Sequence, residues 1–178
     1  MPRLLLAVAA AALLVTMTGC GDPVVPPSPS LTPTATPVFA SEEEALAAAV
    51  AAYGAYLAVF DGALSDYDTT RLPQVATGSA LEEALDAVRG FQDKQQVQTG
   101  SSAVDSTSLA GFSNAGELGL YACLDLSGTD VVNSAGESVL PETRIDRYPI
   151  EVYLTQSDES AQLVVFSEDV WSGDNFCD

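Results

Sequence analysis

Histidine is absent from this 178-residue chain. With it go the commonest general base, the commonest metal ligand and the usual activator of a serine or cysteine nucleophile. Basic side chains are nearly as scarce, six Lys and Arg against 25 Asp and Glu, for a formal charge of −19. Beyond Arg3 they are scattered as Arg71, Arg89, Lys94, Arg144 and Arg147 through acidic sequence. Nucleic acid is excluded as a partner on that ground, because phosphate backbones are held by clustered cations, and anionic membrane surfaces are repelled. There is no phosphate-cradling glycine loop, no nucleophile elbow, no H-E-x-x-H helix and no paired C-x-x-C framework. Neither a catalytic residue, nor a metal site, nor a cofactor is therefore expected. The excess of acid reads as solubility in a salty exterior.

What is present begins at the N-terminus. Met1 to Cys20 runs from a charge at Arg3 through an apolar core, Leu4–Val15, to the small or flexible Thr16, Met17, Thr18 and Gly19. That is the layout of an export signal. The apolar run of 12 residues is shorter than the roughly 20 that a membrane-spanning helix needs. Its ending, Met17-Thr18-Gly19-Cys20, resembles the lipobox of bacterial lipoproteins, with Met17 where that family usually carries leucine. The resemblance implies that the Cys20 sulfur receives diacylglycerol and that Cys20 becomes the mature N-terminus. Two or three acyl chains make a stable anchor, since each buried methylene contributes about 0.8 kcal/mol. The expected location is the extracytoplasmic face of the cell membrane. A plain cleaved signal is the alternative.

With Cys20 assigned to lipid, Cys123 and Cys177 remain as an even pair, and an exported chain lies in a disulfide-permissive compartment. A bond between them is expected, worth about 4 kcal/mol on the chain-entropy model. Two free buried thiols are the alternative.

Residues 20–40 hold six of the ten prolines, with Ser and Thr between them and no hydrophobic period. Extended at about 3.1 Å per residue, such a tether reaches roughly 60 Å. The expected organisation is a signal at 1–19, the lipidated cysteine and tether at 20–40, and one domain at 41–178. Ser41 with Glu44 reads as a capping box opening a helix to about Leu64, whose apolar face holds Leu46, Ala49, Tyr53, Tyr56, Leu57 and Phe60. The aromatic pair Tyr53 and Tyr56 is expected to pack in the core with hydroxyls at the rim, a ligand-pocket lining being the alternative. Asp66 and Asp68 suit turn and cap chemistry better than a calcium loop, which needs more oxygen ligands. A second capping box, Ser79 with Glu82, opens a helix ending near Gln96.

After Gly100 the period falls to two in GELGLYACLDLSG, YPIEVYLTQ and QLVVFSEDVW, and more weakly in SSAVDSTSLAGF. Turn signals at Ser127-Gly128, Ala135-Gly136 and Ser157-Asp158 predict antiparallel pairing. Helices first and strands afterwards define an α+β domain with helices on one sheet face.

That order resembles the nuclear transport factor 2-like, cystatin-like cone fold, and more particularly exported actinobacterial lipoproteins of that class. The residues behind the resemblance are RLPQVATGSALEEALDAV, the strand Tyr121-Ala122-Cys123-Leu124-Asp125 and the ending Trp171 to Cys177. It implies a curved sheet whose mouth forms a pocket, used by some members for isomerase or dehydratase chemistry and by many for binding or assembly. Without histidine, catalysis would fall to a carboxylate raised by burial and assisted by Tyr. Asp125 and Glu151 are the formal candidates, although alternation turns both away from the leucine-rich face. The leading expectation is a non-catalytic binding module meeting an envelope protein or a small hydrophobic ligand. A carboxylate-dependent isomerase or dehydratase is the alternative, and a homodimer through the open sheet a third possibility. Trp171 either anchors a partner or packs near the cysteine pair.

Overall fold

The computed structural model describes residues 38–157 and 162–177, all within one unit, Ala35–Asp178. Cys20 and most of the tether lie outside the described residues, as does Asp158 of the expected Ser157-Asp158 turn.

The first helix, α1 (Glu42–Asp66), is alanine-rich, and alanine is the best helix former. Ser41 caps it: the Glu44 N–H donates to Ser41 Oγ at 3.2 Å, while Glu44 Oε2 reaches back to the Ala40 N–H at 2.8 Å. Three glutamates in its first turn oppose the positive end of the helix dipole. It ends where Tyr67 turns left-handed and donates its N–H to the Ala63 carbonyl. By length and composition α1 could cross a membrane. Its Ala45, Ala49, Tyr53, Leu57 and Leu64 instead lie buried in the domain core.

A single 3-10 turn (Leu72–Gln74) leads to α2 (Gly78–Lys94). The expected Ser79–Glu82 box does not form. The cap position belongs to Thr77, whose side chain makes no capping bond. Tertiary contacts decide the start of this helix: the Thr77 N–H donates to the Val165 carbonyl at 2.8 Å and the Val165 N–H to the Val75 carbonyl at 2.9 Å. Ser79 Oγ donates to the Phe166 carbonyl, not to its own helix. Gly78 sits at φ +57°, where a Cβ would lie 2.6 Å from the Phe166 ring, so only glycine fits.

Four strands form the main sheet in the order β2 (Ala103–Phe112), β3 (Leu118–Asp125), β5 (Arg147–Gln156), β6 (Leu163–Val170), every pairing antiparallel. Two short strands that alternation does not reveal, β1 (Val97–Gly100) and β4 (Thr129–Val132), pair separately. Gly100 at φ +80° passes so close to the Gly128 carbonyl that no side chain could be added. Asp61 on α1 holds this region to the helix. It accepts from Gln98 Nε2 at 2.6 Å, from the Ser102 N–H at 2.8 Å and from Ser102 Oγ at 2.7 Å. Arg144 pins the excursion between β4 and β5, donating to the Leu126 and Thr129 carbonyls.

The core lies between the helices and the inner sheet face: Leu118, Leu120, Ala122 and Leu124 of β3, Ile150, Val152 and Leu154 of β5, and Val165 of β6. Each large side chain so buried contributes about 1.5–3 kcal/mol. Two helices on one face of an open antiparallel sheet make this an α+β fold of the expected kind. The sheet is irregular at its edges, with register shifts within β2 and in β6 opposite Tyr153/Leu154.

Candidate functional site

Two places gather chemistry. On the inner face, Tyr53 donates its hydroxyl to Glu168 Oε2 at 2.9 Å. Glu168 stands opposite Val152 in the β5–β6 register, which turns it toward the helices. Burial pushes its carboxyl above the ordinary carboxylate range, with the charges of Glu83 and Asp169 adding to the rise and the Tyr53 hydrogen bond opposing it. Burial, then the Glu168 charge, raises the hydroxyls of Tyr53, Tyr56 and Tyr148, so all three remain protonated donors. Tyr53 stacks on Tyr56 at 6.0 Å and Tyr56 on Phe60 at 5.7 Å, an aromatic row in the core with one hydroxyl committed to an acid.

Sequence alternation misses Glu168 for a definite reason. Counting by twos from Leu163 puts Val165, Ser167 and Asp169 on the core face. The register, however, passes from Leu154↔Val165 to Tyr153↔Ser167, so Phe166 is an extra residue and everything after it changes face. Glu168 goes inward and Asp169 outward. A bulge of this kind leaves no mark on the hydrophobic period.

On the outer face of the sheet lies a groove of about 1030 Å³, lined by all four strands and, beside β6, by the segment from the 3-10 turn to the start of α2. Phe112, Tyr121, Tyr153 and Phe166 line it, together with Glu117, Glu151, Pro73 and Thr77. Tyr153 and Phe166 remain 45% and 49% exposed, side by side in the groove. Glu151 lies directly opposite Tyr121 on β3 and Asp169 on β6. It accepts from the Tyr153 hydroxyl at 2.9 Å and from Tyr121, whose hydroxyl is raised by desolvation and by this bond. A smaller apolar groove of about 340 Å³ lies along Ala48, Ala51, Ala52 and Ala55 of α1, with Phe39 and Leu163.

The two sequence candidates separate. Glu151 is half-buried in the outer groove. Asp125 lies at the far end of β3, where it accepts from the Ser127 N–H and is held below the usual carboxylate range by its bonds to Ser127 and, less, by the charge of Arg147. Neither touches Glu168, and neither groove is lined by Tyr53 or Glu168. Cys123 and Cys177 are bonded, with Cα atoms 5.5 Å apart. Trp171 packs edge-on against Tyr121 at 4.9 Å, and Phe176 lies 6.2 Å from the same ring. The C-terminal segment is thus laid across the outer face beside the groove. Asp66 and Asp68 accept from local N–H groups of Asp68 and Thr70, as turn residues do.

No family model matches the chain, and no curated protein matches it. Solved structures similar to it include the intermembrane space region of chloroplast protein ARC6, at 16% identity and TM-score 0.46, covering 72% of this chain and 97% of that one. Aln2 from a Streptomyces species matches at 9% identity and TM-score 0.46, over 70% of this chain and 87% of its own. Kfla4162 from Kribbella flavida matches at 12% identity and TM-score 0.46, over 76% and 95%. At such values they say nothing of what this chain does.

Proposed function

We propose that this chain is an exported lipoprotein, held to the outer face of the cell membrane through Cys20, whose domain is a non-catalytic binding module for another envelope component. The observation that carries the reading is the aromatic groove on the outer sheet face, about 1030 Å³ with Phe166 and Tyr153 left half exposed. A groove of that size, with exposed aromatic rings beside oriented polar groups, marks a place where another molecule sits. The Met17–Cys20 lipobox and the proline-rich tether support the location. The test is made in a bacterial host expressing the full-length gene. A fatty-acid label should enter the wild-type protein and not Cys20→Ser, and a photoreactive residue at position 153 should cross-link a discrete partner in the envelope. An unlabelled wild-type product removes the anchor, and absence of any cross-link removes the binding role.

A second reading, a carboxylate-dependent isomerase or dehydratase, draws on the Tyr53–Glu168 pair and requires the domain to open, because the pair lines neither groove. A buried acid bonded to a tyrosine is the arrangement such chemistry uses. Turnover of a small hydrophobic ketone that disappears in Glu168→Gln would establish it, and no turnover by the wild-type protein would dismiss it.

A further inference from the structure

The groove has a definite electrostatic character. Among the described residues its lining contains Glu117 and Glu151 and no Lys or Arg. Asp169 stands beside Glu151 in the strand register on the same face. Of the basic side chains nearby, Arg147 is engaged at the far end of the sheet, donating to Asp105 at 2.6 Å. Glu151 is held in place by the Tyr153 hydroxyl at 2.9 Å, and Tyr121 is itself wedged by Trp171 at 4.9 Å. The result is an oriented carboxylate framed by the aromatic faces that attract cations.

We propose that the outer groove binds an extended segment of a partner protein in which apolar side chains alternate with Lys or Arg. The inference rests on the binding-module reading and names the chemistry of its partner. Charge complementarity selects the occupant. A second copy of this chain, at −19, would bring like charges face to face across Glu151 and Asp169, so self-association through this face is disfavoured. The chain's own tether carries one acid, Asp22, and no base between residues 21 and 40, so it offers nothing for Glu151. A small ligand is usually enclosed on most sides, whereas this groove is broad and partly open, lined by all four strands. Spacing refines the partner. Glu117 precedes Tyr121, the residue facing Glu151, by four positions, which along a strand is about 13 Å. An extended peptide presents side chains of one face at the same interval when they are four residues apart. Cations at positions i and i+4, with an apolar residue at i+2 over the rings of Tyr153 and Phe166, match the groove.

The probe is an acetylated nonapeptide in which Thr alternates with Lys, Phe, Lys and Leu, compared with versions carrying Gln or Glu in place of both lysines. The full-length chain, purified in detergent, is titrated with each while its amide resonances are followed by NMR. The lysine peptide should shift resonances of Tyr121, Glu151, Tyr153 and Phe166 and bind at least tenfold more tightly than the glutamine peptide, with the glutamate peptide weakest. Glu151→Gln should lose at least fivefold in affinity while retaining the wild-type spectrum elsewhere. Glu43→Gln, an exposed acid at the start of α1, should change affinity less than twofold. Equal binding of the lysine and glutamine peptides overturns the cationic preference and leaves the groove as a binding site. Equal losses in Glu151→Gln and Glu43→Gln overturn it differently, by showing attraction to net charge alone. Groove shifts on adding a peptide of residues 21–40 would make the tether the occupant and likewise defeat the proposal. If no peptide moves the groove resonances while cross-linking from position 153 still captures a partner in cells, the chemistry named here is wrong and the binding module stands.

Discussion

The Tyr53 hydroxyl donates to Glu168 at 2.9 Å, joining residues 115 positions apart across the contact between α1 and β6. A hydrogen bond to a charged group contributes about 1.5–3 kcal/mol. Because this bond favours the charged form of Glu168, Tyr53→Phe should cost about 1–3 kcal/mol at pH 7 and less at pH 4. Urea denaturation of both proteins at the two pH values measures the difference. An equal cost at each would mean that the hydroxyl does not serve the carboxylate.

Glu168 itself should make stability fall as pH rises. Its carboxyl is raised above the ordinary value of 4.5 by burial, so the folded chain binds this proton more tightly than the unfolded one. The contribution is complete below the unfolded value and is lost as pH climbs through the folded one. Glu168→Gln should flatten that part of the profile and be more stable than wild type at pH 7, the advantage shrinking toward pH 4. Thermal unfolding across pH 4–8 reads it directly, and parallel profiles for the two proteins would contradict it.

Cys123 and Cys177 close a loop with a sequence separation of 54. Replacing both with Ser should cost about 4 kcal/mol. The loss should be accompanied by release of the tail that carries Trp171 and Phe176 onto Tyr121. Tryptophan fluorescence should then shift toward that of exposed indole before global unfolding. An unchanged emission would mean that ring packing alone holds the tail.

Asp61 accepts from three donors, two of them on Ser102 and one on the buried Gln98. Asp61→Ala leaves those donors without their acceptor and should cost about 1–3 kcal/mol or more. Hydrogen exchange should locate the damage, with Ser102 and the β1–β4 ribbon losing protection before the main sheet does. Uniform loss across the sheet would show that Asp61 serves global stability only.

Much of the domain was legible in local patterns. The Ser41 cap, the alanine-rich helix and the alternation of Leu118 to Leu126 and of Ile150 to Leu154 are short-range signals. Each is written in residues that touch within one turn or one pleat. Other features were not, because their causes lie far along the chain. The start of α2 follows from the bonding of Thr77 to Val165 and the crowding of Gly78 by Phe166. The β1–β4 ribbon depends on a pairing whose partners are some thirty residues apart.

The candidate site divides along the same line. Residue order alone determined the acidic character, the missing histidine chemistry, the spacing of the cysteines and the succession of helices and strands. Only the tertiary structure decided which acids matter. One extra residue at Phe166 turns Glu168 inward onto Tyr53 and Asp169 outward beside Glu151. The physical reason is the two-residue period of a strand: a single bulge reverses every face beyond it, and nothing in the local sequence records where the partner strand permits it.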